Sequence, residues 1–127
     1  MKNQIINTSN APKPIGAYNQ AVIRNGFIFT SGQVPIDPST GNLIDGSFKE
    51  RVRRVMKNLK SILEESEANF SNVTKFSVFL TDISNYTEVN EVFNEFIKDS
   101  DAPARVLIEV SSLPAGADIE IDCIAAV

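Results

Sequence analysis

Residues 102–127, APARVLIEVSSLPAGADIEIDCIAAV, decide how this chain is read. Two runs of strand-forming residues stand here, 104–110 and 119–127, and each carries a charge placed unlike a loop charge. Arg105 opens the first run and Glu120 lies inside the second. Side chains alternate across a strand, so Val106, Ile108 and Val110 share one face and Arg105, Leu107 and Glu109 the other. In the second run Ile119, Ile121, Cys123, Ala125 and Val127 face away from Asp118, Glu120 and Asp122. The pattern predicts that Arg105 and Glu120 both point away from the apolar layer, where a fold can build a site. A plain hairpin through 112–117 would set Arg105 opposite residue 124, roughly 13 Å along the strand from Glu120. A crossover connection, or a site shared between copies of the chain, would relieve that separation.

Working outward, Asn25-Gly26 is a type I′ hairpin signal, because that turn needs positive φ at both central positions. It predicts strands over 17–24 and 27–31, with Tyr18 beginning the first. The prolines and glycines of 32–46 mark an irregular loop. Ser47 with Glu50 reads as a capping box for a helix carrying Phe48, Val52, Val55, Met56, Leu59, Ile62 and Leu63 on one face, ending near Ala68. Residues 73–80 alternate as a strand, with Phe76, Val78 and Leu80 on one side. A second helix is expected from Asn85, with Glu88 as its cap signal and Tyr86, Val89, Phe93 and Phe96 inward, ended by Asp101-Ala-Pro103. The order ββαβαββ predicts an α/β (α+β) two-layer sandwich, a single domain over 1–127. Two helices cover only one face of such a sheet. The other would expose Phe79, Leu107 and Ile124 beside Arg105 and Glu120, a face suited to another subunit.

Composition narrows the chemistry. The chain has no histidine and one cysteine, so it cannot build a Ser-His-Asp or Cys-His system or an intrachain disulfide, and it makes a structural zinc site very unfavourable. No phosphate-binding glycine loop is present. No metal or cofactor is expected. A net charge of −4 gives no overall attraction to nucleic acid, and the absence of a long apolar run or leader-like start points to a cytoplasmic protein without membrane contact.

The remaining candidates each have a plainer use. Arg105 can grip a carboxylate through two parallel hydrogen bonds, although strand-end arginines more often form structural ion pairs. Glu120, crowded by Asp118 and Asp122, suits a group that trades a proton near neutrality; the same carboxylates would also serve to keep a strand face soluble. Lys49, Arg51, Arg53, Arg54, Lys57 and Lys60 could meet RNA phosphates, but read better as the wet face of the first helix. Cys123 falls on the apolar parity of its strand and reads as a core residue, not a nucleophile. The Tyr18 hydroxyl could cap a pocket, although packing at an edge is the commoner role for such an aromatic.

Six segments, in order and spacing, resemble the Rid (reactive intermediate deaminase) family, formerly labelled L-PSP endoribonuclease-like. They are 11–21 (APKPIGAYNQA), 29–35 (FTSGQVP), 78–82 (VFLTD), 89–92 (VNEV), 103–105 (PAR) and 119–121 (IEI). The resemblance spans essentially the whole chain. It implies a chorismate-mutase-like fold with a mixed sheet, a homotrimer with clefts between subunits, and hydrolysis of 2-enamine/2-imine acids to 2-keto acids and ammonia without a cofactor. It further implies that Arg105 holds the substrate carboxylate and Glu120 orients water and manages protons. The backbone at Ser31, Gly32 and Leu107 would touch substrate, with Tyr18 and Asn90 lining the cleft. The older label implies an endoribonuclease or translation inhibitor instead, and a non-catalytic module binding small 2-keto acids would use the same cleft. Two positions depart from the family pattern: Gly16-Ala-Tyr-Asn19 replaces Gly-Pro-Tyr-Ser, and Leu107 stands where cysteine is common. A leucine keeps the backbone carbonyl and changes the shape of the pocket.

Overall fold

Asn25 and Gly26 adopt φ of 52° and 80°, and join β2 (Ala21–Arg24) to β3 (Phe27–Thr30) with Arg24 opposite Phe27. This two-residue turn belongs to a computed structural model that describes residues 2–127. β2 starts at Ala21, not residue 17, so Tyr18 lies in the loop before the strand. A strand not anticipated from sequence, β1 (Gln4–Ile6), pairs with β2 and is too short for its alternation to show.

The remaining elements are α1 (Phe48–Glu65), β4 (Val73–Leu80), α2 (Tyr86–Phe96), β5 (Ala104–Glu109) and β6 (Ile119–Ala126). The six-stranded sheet runs β1-β2-β3-β6-β4-β5. β3 and β4 both pair antiparallel with β6, whereas β4 and β5 pair parallel. The sheet is therefore mixed, and its parallel pair is joined by a helical crossover, as such pairs require.

Helix α1 is held by its amphipathic pattern. Ser47 accepts a hydrogen bond from the Glu50 amide, and Val52, Val55, Met56, Leu59, Ile62 and Leu63 are fully buried against the sheet. Each such side chain contributes about 1.5–3 kcal/mol on burial. Below α2, Phe93 packs on Phe76 of β4 with ring centroids 5.1 Å apart. Val89 and Val92 join the core, but Tyr86 does not: at the first turn of α2 it faces solvent. Asn85 stands at the N-cap of α2 without a capping side-chain bond.

Both helices lie on one face, as the element order predicts. The open face carries Phe27, Phe29, Val106 and Ile108, all substantially exposed, beside Phe79, Ile124 and Glu120. Here β5 reverses the expected parity. Arg105 and Leu107 pair with the buried Phe76 and Val78, so they turn to the helix side, while Val106 and Ile108 turn to the open face. β5 is an edge strand with apolar residues on both sides, so alternation alone cannot say which side the helices cover.

Candidate active site

Glu120 stands on the open face near the start of β6, opposite Phe79 of β4. Its surroundings come from an irregularity between β3 and β6. Phe29 pairs with Ile124 and Gln33 with Ile121, leaving three residues of one line against two of the other. That count makes a β-bulge. The Thr30 hydroxyl accepts the Cys123 amide at 2.9 Å in place of a ladder bond. Ser31 turns outward, its amide bonded to the Gln20 carbonyl (2.8 Å) and its hydroxyl donating to the Asn19 carbonyl (2.6 Å). Gly32 is thereby set against Glu120: a Cβ at position 32 would lie 2.7 Å from the Glu120 Cδ. Only glycine leaves room for the carboxylate there.

Burial, and then the neighbouring Asp122, push the Glu120 carboxyl above its ordinary range. Burial does the same for Asp122, opposed by Ser77 and Lys75. Asp118, the third member of the expected acidic row, is taken out of it by Arg51 of α1, which forms a bidentate pair with contacts of 2.7–3.2 Å. The crowding of Glu120 therefore comes from one carboxylate rather than two.

Tyr18 closes the side of this region. Its hydroxyl accepts the Ile15 amide at 3.2 Å, and the residue lines two surface depressions, one with Gly32 and one with Ser31. The loop that carries it is fastened by Gln20, whose side chain is buried and bonded to the backbone of Thr8, Ala11 and Pro12. The sequence signals nothing of this clamp beyond a glutamine ahead of a strand.

Arg105 belongs to a second cluster. Its guanidinium lies over the Phe93 ring, 5.3 Å from the centroid, in a cavity of about 330 Å³ that Asn90, Asn94, Ile97 and Pro103 also line. Among the described residues no carboxylate pairs with it, so the structural ion pair expected for a strand-end arginine is absent. Burial lowers its pKa, but a guanidinium stays charged at any physiological pH. Leu107 packs toward the core. The Val110 amide bonds to the Leu80 carbonyl, so by alternation the amides and carbonyls of Arg105 and Leu107 face outward along the free edge of β5.

The expected residues thus form two groups, Tyr18, Ser31, Gly32 and Glu120 in one, Asn90, Arg105 and Leu107 in the other. The two do not meet within one chain. β4 separates β5 from β6, and Arg105 is level with Phe76 and Cys123 while Glu120 is level with Phe79 and Ile108. Three residues along the sheet and two strand spacings across it each amount to roughly 10 Å, and the side chains leave by opposite faces. The last two strands do not form a plain hairpin: the sheet puts β4 between them. The expectation that both charges leave the apolar layer on one side holds for Glu120 alone.

The other candidates have structural roles. Lys49 pairs with Glu91, Arg53 bidentately with Glu95 at 2.8 Å, and Lys60 with Glu64 at 3.9 Å, while Arg54 bonds to Asn58. Much of the basic face of α1 is therefore engaged within the chain. Cys123 is buried, its thiol pushed up to about 12 by burial, which makes it a core residue. Among the described residues no group of three metal-ligating side chains gathers, and no helix is long and apolar enough to cross a membrane.

A mixed sheet covered by helices on one face, with a shielded glutamate, an unpaired edge-strand arginine and an uncovered apolar face, defines a small two-layer α+β protein. The chain belongs to the family described as Endoribonuclease L-PSP, whose model matches residues 8–127 and which includes the Rid and RutC proteins. It is 46% identical over 125 residues to a RutC family protein of Pyrococcus abyssi, covering 98% of each chain. It is 40% identical to a human protein named 2-iminobutanoate/2-iminopropanoate deaminase, over 96% of this chain and 88% of the human one. The solved structure of the Rid-family protein YyfA from Yersinia pestis superposes with a TM-score of 0.96 at 39% identity, covering 99% of this chain and all of the other.

Proposed function

We propose that this protein hydrolyses small 2-enamine and 2-imine acids to 2-keto acids and ammonia, in clefts formed between copies of the chain in a homotrimer. The observation that carries this reading is the split site. One chain holds an unpaired guanidinium at one place and a carboxylate of raised proton affinity at another, and a second copy is needed to bring them together. The open apolar face and the free edge of β5 are the surfaces available for that contact. The human relative's name supplies the substrate class.

In this reading Arg105 of one copy grips the substrate carboxylate bidentately, with the outward backbone of Leu107 beside it. Glu120 of another copy takes a proton from water as the oxygen adds to C2 of the imine. Glu120 returns that proton to nitrogen, giving the neutral carbinolamine; the hydroxyl proton then passes by way of Glu120 to the same nitrogen, the C–N bond breaks, and ammonia leaves as the oxygen becomes the carbonyl. The balance is imine plus water to keto acid plus ammonia; an enamine first gains a proton at C3. Such electrophilic carbon needs positioning and modest proton transfer rather than strong activation.

The test supplies freshly generated 2-iminopropanoate and measures pyruvate and ammonia above the uncatalysed rate. Turnover by the wild-type protein is the expected result. Binding of 2-keto acids with no turnover would overturn the reaction and leave a ligand-binding module.

A further inference from the structure

The polar side chain buried most completely in this molecule is neither Arg105 nor Glu120. Asn58, in the middle of α1, is fully buried, and both ends of its amide are bonded. Its Nδ2 donates to the carbonyls of Val34 (3.4 Å) and Ile36 (2.9 Å), and its Oδ1 accepts from Nε and Nη2 of Arg54 at 3.1 and 2.9 Å. A buried polar group in the core face of a helix weakens packing unless its bonds are made, so this amide is there for the segment it holds.

That segment continues directly into the wall behind Glu120. Residues 34–36 are tied to α1 by Asn58, and Ile36 is further braced against Leu43. Gln33 exchanges two backbone bonds with Ile121, at 2.8 and 3.1 Å, next to Glu120 in the chain. Gly32 is the surface on which the Glu120 carboxylate rests. Arg54, Asn58, Val34, Gln33 and Gly32 thus make a continuous chain of contacts from the helix layer, past the bridge to β6, to the carboxylate.

We infer that Asn58, fixed by Arg54, is a positioning residue that holds the 32–36 segment against β6 and so sets the place and shielding of Glu120. The inference rests on the proposed hydrolytic role of Glu120 for its effect on rate, but not for its effect on the carboxylate itself. Arg105 lies on the other face and touches none of these groups. Loosening the segment should therefore impair the proton-handling half of the site and spare the carboxylate clamp. It should also admit water to Glu120, whose other charged neighbour is Asp122 on its own strand; Lys75 of β4 acts on Asp122, and the 32–36 segment brings no charge.

Asn58→Asp is the informative variant. It retains an acceptor for Arg54 but replaces the donor facing Val34 and Ile36 with an oxygen, so the segment is repelled while the helix keeps its pairing. Val55→Ala, a buried apolar change on the same helix that removes no hydrogen bond to the segment, serves as the control for destabilisation. Two readouts are taken at temperatures giving equal folded fractions: kcat and KM with 2-iminopropanoate, and the Glu120 carboxyl titration by NMR. Asn58→Asp is expected to lower kcat about tenfold or more with KM within about twofold, and to move the Glu120 midpoint down toward that of a solvated glutamate. Val55→Ala should move neither. Equal effects from both variants, or an unmoved Glu120 midpoint in Asn58→Asp, would overturn the inference. If wild-type protein turns over no imine, the proposed reaction falls, and the titration still decides the positioning role.

Discussion

Arg105 and Glu120 are held in opposite ways. Arg105 reaches from an edge strand, rests on one aromatic ring and has outward-facing backbone beside it. Glu120 stands on a strand flanked by β3 and β4, backed by a glycine that a bulge has moved into place. The first arrangement leaves a cation and hydrogen-bonding edge available to an incoming group. The second excludes water from one side of a carboxylate and raises its proton affinity. In the proposed reading, the difference teaches that one chain carries two complementary half-sites: an anchor that is open and a proton carrier that is shielded. Each lacks what the other has.

The strongest way to break that comparison is to separate the halves genetically. Arg105→Ala should lower kcat/KM by about 10²–10³-fold, the cost of losing a charge-assisted clamp, and Glu120→Gln should lower kcat by about 10²–10⁴-fold. When the two inactive variants are co-refolded, a cleft between copies recovers about one quarter of wild-type activity, because random pairing joins an intact arginine to an intact glutamate that often. A mixture that stays inactive would place both groups on one copy's cleft and defeat the split.

Gly32→Ala sharpens the Glu120 half. The added methyl falls 2.7 Å from the carboxylate carbon and displaces it, with an expected loss of about 10–100-fold in kcat and a nearly unchanged KM. Steady-state kinetics with unchanged circular dichroism would confirm that the loss is local. On the Arg105 half, Phe93→Leu removes the ring beneath the guanidinium while keeping most of the apolar volume. KM should rise by about 3–10-fold with kcat maintained, the size of a partly desolvated cation–π contact. A fall in kcat instead would mean that Phe93 acts on the chemistry.

The smallest effect concerns stability. Because Glu120 has a raised pKa in the folded chain, the native state binds more protons than the unfolded state between the two values. Its charge therefore opposes folding above the raised value, and the penalty disappears below about 4.3, the ordinary glutamate value. Glu120→Gln should melt slightly higher than wild type at pH 7, with the gap closing as pH falls through that window. Partial exposure of the carboxylate keeps the gap small. Thermal melts from pH 4 to 8 measure it, and a constant gap would mean the carboxyl is solvated.

Much of this was legible in the sequence because it rests on local physics. Asn25-Gly26 admits few alternatives to a tight hairpin, and the spacing of Val52 to Leu63 has one helical face to bury. The alternation of Phe76, Val78 and Leu80 likewise settles which side of β4 is core. Within the site, the residues of both half-sites were nameable from short motifs. Their arrangement was not, and neither were the Gln20 clamp or the Asn58 tie, since a glutamine or asparagine shows its partner only once distant backbone is brought to it.

The sequence by itself determined the helices, most of the strands, the family, and which side chains have the chemistry. The tertiary structure alone decided where that chemistry sits. Alternation says which residues of a strand share a face, but it cannot say which face is covered when both are apolar, as at β5. Nor can it say which strand lies between two others. The insertion of β4 between β5 and β6 separates Arg105 from Glu120, and the register that levels Arg105 with the buried Phe76 sends the two to opposite sides of the sheet.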